Sequence, residues 1–302
     1  MSYSKAVVRD VAELGPRFLR ILFDVDDLDH LALPGNSDEA VGLWVPSPGE
    51  HSVPAMTERN GVWAYHDTEN TPEGRNYSIR AVDRAARTVT VDVVVHAAGP
   101  ITEFAQRARP GDEVAMSHAR SWYHPPADTD WYVYAADLAG LPALARILTE
   151  SSILTESSIL TESSQPATQS IVVVEVVDPV DLELLPEHDG LITIVGGNGH
   201  GPSGLADAVR ECAFPAGRGY CWFAGEAAQS RAVRKQLRGE LRWSRERYDI
   251  IGYWRSEGER WAKEYEKHGT ELLAVYEKAI ADGKGTKVAG EEFDEALERA
   301  GL

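Results

Sequence analysis

The sequence predicts two folded parts of different class, a β-rich part over about the first 120 residues and an α/β part after residue 128, followed by a helical tail. In the first part, short apolar runs rich in Val, Ile and Thr are separated by Gly and Pro clusters, as in an antiparallel barrel or sandwich. After residue 131, apolar runs alternate with helical segments, which predicts a parallel sheet. Beyond residue 257, apolar residues recur mostly at fourfold spacing.

The strands of the first part are predicted from runs of β-formers. The run from Thr88 to His96 is dominated by Val and Thr, which suit a pleated surface. Proline ends the run that begins at Ala40, and Gly and Pro also mark the turns near Gly35 and Gly74. The predicted strands are 18–25, 40–46, 76–82 and 88–96.

The second part begins after Pro125-Pro126-Ala127-Asp128, where we place the boundary. The run Ile171 to Val177 is continuously apolar, as in a strand buried on both faces of a parallel sheet. We therefore expect domains at 1–128 and 129–256 and a helical extension at 257–302. The other predicted elements are strands at 131–136, 192–195 and 220–224 and helices at 141–148 and 204–212.

Residues 147–164 repeat Ile-Leu-Thr-Glu-Ser-Ser three times. Six residues turn an α-helix by about 600°, so the Ile-Leu pairs cannot form one apolar stripe. We interpret the repeat as a duplicated stretch that lengthens a helix end and its following loop; a functional interaction repeat is the alternative. In the tail, one apolar stripe is predicted from Trp261, Tyr265, Leu272, Tyr276 and Ile280.

The net charge restricts the partners. Lys and Arg total 30 and Asp and Glu 48, so the charge is −18, which argues against broad binding to nucleic acid or anionic lipid. No apolar run approaches the ~18 residues of a membrane span, and the first residues lack a signal-peptide core. Cys212 and Cys221 lie nine residues apart, unlike a C-x-x-C pair. We expect reduced thiols, a cytoplasmic location, no nucleic-acid partner and no membrane span.

Several common sites are excluded by their spacing. The chain has no H-E-x-x-H, G-x-S-x-G or P-loop sequence, and the acids from Asp24 to Asp29 lack the calcium-loop pattern. We expect no bound structural metal. Residues 199–204 fit G-x-G-x-x-G, but Pro202 interrupts the turn and Tyr220 stands where an acidic ribose ligand is expected. An ordinary glycine-rich loop is therefore favoured over a dinucleotide fingerprint.

One basic segment stands out against the acidic background. Between Arg231 and Arg247 lie seven basic and two acidic residues, a local charge of +5. The segment resembles a helix, with Arg231, Arg234 or Lys235, Arg238 and Arg242 recurring along one face. It is either a solvated face or a trap for an anionic ligand such as a phosphate or an acidic chelate.

Two motifs carry a family resemblance. Residues 75–80 (RNYSIR) and 93–100 (VVVHAAGP) resemble the R-x-Y-[ST]-x-R and V-x-H-x-x-x-G-P segments of the siderophore-interacting proteins, the FAD-dependent ferric-siderophore reductases. The resemblance implies an antiparallel Greek-key flavin-binding β-barrel followed by an α/β parallel-sheet pyridine-nucleotide domain. Further matches occur in family order at 109–112, 141–143, 222–227 and 252–255.

The resemblance also assigns cofactor contacts. It implies that Arg75 binds FAD phosphate oxygens, Tyr77 packs on the isoalloxazine or ribityl chain, and Ser78 hydrogen-bonds the ring edge near N5. His96 matches a flavin contact, and Thr102 stands where the family has a small hydroxyl residue before a helix that favours pyrophosphate. The other cofactor-binding positions are Gly99, Asp137, Gly225, Glu226 and Arg231.

The electron donor and the substrate are implied in the same way. Gly225 would let the nucleotide approach the backbone, Glu226 would bond near nicotinamide or ribose, and Arg231 and Arg234 would meet adenosine phosphates. Arg255 or Lys235 would hold an anionic ferric siderophore. NADPH or NADH is the expected donor; a ferredoxin is the alternative if the tail covers the nicotinamide side.

The sequence departs from the family pattern at several positions. Leu138 and Ala139 replace an acidic and a hydroxyl residue, Phe104 replaces a tryptophan, and Glu103 lies beside the expected pyrophosphate. Two other functions therefore stay open. One is a general flavin or ferredoxin reductase without siderophore specificity, and the other is a non-catalytic protein that binds ferric chelates.

Overall fold

A computed structural model of the chain describes residues 3–59, 62–66, 71–96, 99–160, 169–256 and 258–302. Its first half contains a closed six-stranded antiparallel barrel and a short hairpin, β4–β5. The strands are β1 (Tyr3–Glu13), β2 (Phe18–Val25), β3 (Ala40–Val45), β4 (Thr57–Arg59), β5 (Val62–Ala64), β6 (Glu73–Asp83), β7 (Thr88–Val94) and β8 (Glu113–Arg120).

The barrel has Greek-key topology. Its strand order is β1-β2-β7-β6-β3-β8, so the chain leaves β2 and re-enters at β3 on the far side of β6. Residues such as Ile21, Val91 and Val114 are completely buried at the centre. Because the sheet closes, the first part is a barrel rather than a sandwich, and its alternating pattern leaves one face of each strand for other contacts.

The second half is built on a five-stranded parallel sheet in the order β11-β10-β9-β12-β13. The continuous apolar run at 171–177 supplies most of β10, which is covered on both faces, as parallel strands usually are. The strands are β9 (Trp131–Ala136), β10 (Gln169–Val176), β11 (Leu191–Val195), β12 (Gly219–Glu226) and β13 (Tyr248–Trp254).

Helices surround the two sheets. Short 3₁₀ turns lie at Pro179–Leu184 and Arg245–Arg247, and a π turn lies at Gln236–Glu240. The helices are α1 (Pro100–Arg107), α2 (Leu141–Leu160), α3 (Leu205–Glu211), α4 (Ala227–Lys235), α5 (Gly258–Ala281) and α6 (Gly285–Arg299).

Two predictions about helices need correction or extension. The helix predicted at 141–148 continues to Leu160, so it includes the first two ILTESS copies; residues 161–168 lie outside the described residues. In the tail, Ile280 is 40% exposed and does not belong to the apolar stripe. Val275 packs in that cluster instead, because α5 turns its buried face toward α6 and Phe293.

The barrel and the sheet are joined by buried polar contacts. The carboxylate of Asp38, just before β3, accepts hydrogen bonds from the backbone N–H of Trp122 at 3.1 Å and from the indole of Trp222 on β12 at 3.2 Å. Arg146 on α2 pairs with Glu39 at 3.0 Å and donates to the carbonyl of Ile79 on β6 at 3.3 Å. These contacts fix one end of the barrel against the sheet.

Candidate functional site

The strand order creates a crevice at the carboxyl edge of the sheet. From β9 the chain proceeds to β10 and β11 on one side and later to β12 and β13 on the other. Ligands of open α/β sheets bind outside the carboxyl ends of the strands, where the order reverses. Here the reversal lies between β9 and β12, which end next to Asp137 and at Glu226.

Asp137 lies at the centre of this crevice and is only 1% exposed. Its carboxylate accepts hydrogen bonds from the indole of Trp254 at 2.6 Å and from the backbone N–H of Ala139 at 2.9 Å. Burial raises the pKa of Asp137 to about 6, and these hydrogen bonds oppose the rise. The side chain was predicted to bind cofactor, but in this structure it joins the ends of β9 and β13.

Gly225 and Glu226 also lie in the crevice, and each has a structural role there. A Cβ on Gly225 would lie 2.9 Å from the Asp137 carboxylate, so the glycine makes room for that buried acid. Glu226 caps α4, because its carboxylate accepts the backbone N–H groups of Ala228 and Gln229. The predicted nicotinamide or ribose contact of Glu226 would have to share that carboxylate with the helix cap.

The glycine-rich loop after β11 is organised by two side chains. Asn198, with φ of 53°, accepts the backbone N–H of Leu138 at 2.9 Å and so ties the loop to the end of β9. Glu175, 1% exposed on β10, accepts the hydroxyl of Ser203 at 2.7 Å and the N–H of Gly204 at 2.6 Å. Side-chain contacts therefore account for the shape of this loop.

The barrel brings its own motif residues to one end. β6 and β7 are antiparallel with Ile79 opposite Val91, so the start of β6 and the segment after β7 lie at the same end. Arg75 is at the start of β6, and His96 follows β7. Phe18, at the same end, packs into the core of the α/β part, so this end faces the crevice.

The start of β6 has groups that fit FAD. The Arg75 side chain is 60% exposed, and its contacts are local: the carbonyl of Gly74 at 2.8 Å and Glu73 at 3.8 Å. The guanidinium can therefore turn to a phosphate, which arginine binds bidentately. Tyr77 is half-buried against the barrel core, and burial raises its pKa to about 12, so the ring is a neutral packing surface.

The start of α1 offers a second group for a phosphate. Gly99 caps the helix with φ of 142° and makes no side-chain hydrogen bond, so the N–H groups of Ile101 and Thr102 receive no side-chain cap from it. A Cβ on Gly99 would lie 3.0 Å from the His96 ring, so glycine allows the two to meet. Residues 97 and 98 of this segment lie outside the described residues. These features fit the pyrophosphate of a dinucleotide.

Thr102 needs a correction. It was expected before the helix, but it is the third residue of α1 and only 2% exposed. Its hydroxyl lies 3.5 Å from the His96 ring nitrogen and 3.4 Å from the carbonyl of Val94. Because the side chain turns back to the barrel, its backbone N–H is the group left for an anion.

Ser78 connects the barrel motif with the crevice. It is 6% exposed, and its hydroxyl donates to the phenolic oxygen of Tyr253 on β13 at 3.2 Å. Burial raises the pKa of Tyr253, and the carboxylates of Asp38 and Asp137 add to the rise. The Ser78 side of the barrel and the carboxyl edge of the sheet therefore meet at one hydrogen bond.

The basic segment differs from the predicted single helix. α4 ends at Lys235, a π turn follows, and Arg242 has φ of 59°, so Arg242 lies off the helix face assigned to it. Acidic residues of α6 approach the segment: Asp294 pairs with Arg234 at 2.9 Å, and Glu291 pairs with Arg245 at 2.6 Å. Acidic residues of the tail thus neutralise much of the positive charge that was predicted to bind an anion.

Two arginines of the predicted set remain near the crevice. Arg255, just after β13, stacks on the Trp261 ring of α5 with its guanidinium carbon 4.5 Å from the centroid. Burial and the charge of nearby Arg231 lower the pKa of Arg255. Among the described residues, the buried Nη1 atom of Arg231 has no hydrogen-bond partner. Lys235 is exposed one turn further along α4.

The motifs do not reveal several residues that shape the crevice. Tyr253 and Trp254 were quoted only as part of a motif, and Asp38 and Asn198 carry no motif at all. A buried acid or amide that acts through distant partners leaves no local spacing signal, whereas the aromatic pair after an apolar run could have been singled out. Within the ranges described, no group of three His, Cys, Asp or Glu residues is placed to hold a metal ion.

No helix of the described residues is both long and apolar enough to cross a membrane.

Two family models match the chain: the "Siderophore-interacting FAD-binding domain" over residues 7–121 and the "Siderophore-interacting protein" over residues 129–257. The first covers the barrel and the second covers the parallel sheet.

Relatives and solved structures agree. An Escherichia coli protein named NADPH-dependent ferric-chelate reductase is 24% identical, covering 84% of this chain and 93% of its own. The ferric vibriobactin reductase ViuB of Vibrio cholerae is 27% identical over 66% and 71% of the two chains. The structure of a siderophore-interacting protein from Acinetobacter baumannii superposes with a TM-score of 0.65 at 19% identity, covering 89% of this chain and all of that one.

These matches confirm the predicted fold, a Greek-key barrel followed by an α/β domain as in the ferredoxin-reductase-like neighbours. They also confirm FAD as the cofactor of the first domain, in agreement with the groups found around Arg75 and Gly99. The chain belongs to the siderophore-interacting protein family, whose FAD-binding domain it carries in its first part.

Proposed function

We propose that this protein is a ferric-siderophore reductase that uses FAD to pass electrons from NADPH or NADH to siderophore-bound Fe(III). The observation that carries the proposal is the meeting of Ser78 on the barrel with Tyr253 at the carboxyl edge of the sheet. One contact brings together the flavin motif and the edge where α/β domains bind nucleotides. The relative named NADPH-dependent ferric-chelate reductase supports the choice of donor and substrate.

The proposed function gives each part of the chain a role. We assign residues 1–128 to FAD binding, 129–256 to the nucleotide donor, and 257–302 to a helical extension. When bound, FAD would accept a hydride and give up electrons singly, which one-electron reduction of Fe(III) requires. Fe(II) binds hard oxygen chelators far less tightly than Fe(III), so reduction would release the metal.

The chain's own residues bind and orient. Arg75 and the backbone N–H groups of Ile101 and Thr102 would hold the FAD phosphates, and Tyr77 and His96 would pack against the rest of the cofactor. Ser78 would hydrogen-bond the flavin ring edge. Asp137 and Gly225 would shape the nucleotide crevice rather than bind by charge, because the carboxylate is buried on Trp254.

The substrate end of the crevice would use cations. Arg231 and Arg255 place two guanidinium groups close together, which favours an anion such as a ferric chelate or a nucleotide phosphate. Lys235 and Arg234 are the other proposed contacts, although Arg234 is occupied by Asp294 while the tail is docked. Fe(III) is the substrate here, and its ligands belong to the siderophore.

The tail favours a second candidate donor, a ferredoxin. Asp294 and Glu291 of α6 engage arginines that would otherwise be available to nucleotide phosphates. A protein donor that delivers electrons directly would not need those arginines. Comparing flavin reduction by NADPH, by NADH and by reduced ferredoxin, each at matched concentration, separates the donors.

The deciding experiment follows the flavin spectrum. The purified protein is loaded with FAD, reduced anaerobically and mixed with a ferric siderophore, with a gallium siderophore as the redox-inert control. Reoxidation of the flavin with the iron complex alone is expected. A protein that stays reduced would instead be a binding protein, and equal reoxidation by unrelated one-electron acceptors would indicate a general flavin reductase.

A further inference from the structure

The starting point is the hydroxyl pair of Ser78 and Tyr253, which lies between barrel and sheet. Ser78 is 6% exposed, and its nearest polar partner on the sheet is the phenol at 3.2 Å. A serine hydroxyl has one donor proton and two acceptor lone pairs, and a phenol likewise donates or accepts. The direction of this hydrogen bond can therefore reverse without moving either heavy atom.

Such reversal matters next to a group that changes its hydrogen-bonding character. In oxidised flavin the ring nitrogen N5 is an acceptor, whereas in reduced flavin it carries a proton and donates. A serine facing N5 must donate in the first state and accept in the second. When it accepts, its own proton needs another acceptor, because a buried hydroxyl without a partner costs free energy.

We propose that Tyr253 is the positioning residue that lets the Ser78 hydroxyl reverse, so that one serine serves both oxidation states of the flavin. This inference rests on the proposed placement of Ser78 beside the ring edge. Tyr253 acts through Ser78. When N5 donates to the serine oxygen, the serine hydroxyl donates to the Tyr253 oxygen. When N5 accepts from the serine hydroxyl, the Tyr253 hydroxyl donates to the serine oxygen.

The surroundings keep Tyr253 suited to this role. Burial holds the phenol neutral by raising its pKa, and the nearby carboxylates of Asp38 and Asp137 act in the same direction. The ring of Trp122 lies 6.4 Å from the Tyr253 ring, centroid to centroid, and packs beside it. The phenol is thus fixed in place and protonated, and both are needed for a partner that alternates between donor and acceptor.

The expected effect is unequal in the two states. Without the phenol, Ser78 can still donate to oxidised flavin, but in the reduced state its proton has no acceptor. Tyr253→Phe should therefore weaken binding of reduced FAD about 2- to 10-fold more than binding of oxidised FAD. By linkage, that ratio lowers the midpoint potential of the bound flavin.

The test is a double-mutant cycle on the full chain loaded with FAD. Midpoint potential, the dissociation constant of oxidised FAD and the melting temperature are measured for wild type, Y253F, S78A and the double variant. We expect Y253F to lower the potential in the wild-type background and to have no further effect in S78A. Tyr132→Phe, which removes another half-buried phenol away from Ser78, is the control and should leave the potential unchanged.

The outcomes are distinguishable. An unchanged potential in Y253F, or a decrease that persists in S78A, would overturn the inference, since Tyr253 would then act independently of Ser78. If Y253F does not bind flavin, the midpoint potential is measured instead for Y253M, which also lacks the hydroxyl. Failure of wild type to bind FAD or to reduce a ferric siderophore would count against the proposed function, whereas a loaded, active wild type with an unaffected Y253F would count against this inference alone.

Discussion

The carboxylate of Asp137 accepts the indole N–H of Trp254 at 2.6 Å, joining the carboxyl ends of two strands, β9 and β13, that are separated by β12. The acid has no cationic partner among its hydrogen bonds, which come from the indole and from backbone N–H groups. Burial is therefore the main influence on the pKa of Asp137, and it makes the ionised form of this carboxyl group less favourable.

The pH dependence of stability should report this acid. Its pKa is about 6 in the folded chain against 3.8 as the ordinary value, so between about pH 4 and 6 the native state binds more protons than the unfolded state. Stability from this group is present at low pH and is lost as pH rises through 6, by about 3 kcal/mol in all. The free energy of unfolding of wild type minus that of Asp137→Asn should fall by this amount over the window, and a constant difference would contradict it.

Arg75 should matter to FAD and not to the fold. Its side chain is 60% exposed, and its partners among the described residues are the neighbouring Gly74 and Glu73, so Arg75→Ala should leave the melting temperature of the apoprotein unchanged. Loss of charged hydrogen bonds to phosphate, at about 1.5–3 kcal/mol, should weaken FAD binding roughly 10- to 100-fold. Titration followed by flavin fluorescence measures it. Arg84→Ala, an exposed arginine on the β6–β7 turn, is the control; equal losses in both variants would argue against a specific phosphate contact.

Replacing Arg146 should lower the free energy of unfolding. Its guanidinium pairs with Glu39, which is 1% exposed, and also bonds a barrel carbonyl. Arg146→Met would leave a buried carboxylate unpaired, at a cost of about 3–5 kcal/mol in the free energy of unfolding. Denaturant titration checks this. Arg210→Ala, which breaks an exposed pair with Asp207, should change stability by less than about 1 kcal/mol.

Docking of α6 should depend on salt. It is held by ion pairs that include Glu291 with Arg245 at 2.6 Å, Lys287 with Asp249 at 2.7 Å and Asp294 with Arg234 at 2.9 Å. Partly exposed pairs of this kind are screened over ~10 Å at 0.1 M salt. Raising NaCl to about 0.5 M, or Glu291→Gln, should increase amide exchange in α6. Lys284→Ala removes a pair with Glu292 inside the tail and should not do so. Equal protection of α6 at both salt concentrations would mean that apolar packing holds it.

The elements that sequence reasoning identified are those with strong local patterns. β2 and β9 were predicted to the residue, because Phe18–Val25 mixes apolar and polar positions as a half-buried strand does and Trp131–Ala136 is a short apolar run. β1 was missed since its short apolar stretch, Ala6 to Val8, lies between the charged residues Lys5 and Arg9. β13 was missed because the arginine-rich segment before it suggested a continuing helix.

The candidate site divides in the same way. Arg75, Ser78 and Gly99 could be proposed from the sequence because the flavin motif is local, and their roles stay predictions. The environment of Asp137, the pairing of Arg234 with Asp294 and the reach of Tyr253 to Ser78 arise from contacts between residues far apart in the chain. No spacing rule contains that information, since it depends on how the barrel and the sheet pack.

Asp38 has a consequence for how ligands enter. One carboxylate holds the linker at Trp122 and the sheet at Trp222, so the barrel and the sheet cannot hinge apart without stranding a charge that is 0% exposed. Because opening would separate this buried side chain from both partners, we expect the barrel and the sheet to stay together during turnover. In the proposed reductase, flavin, donor and chelate would then reach a cleft of nearly constant width, and movements of side chains and of the tail helices α5 and α6 would control access to it.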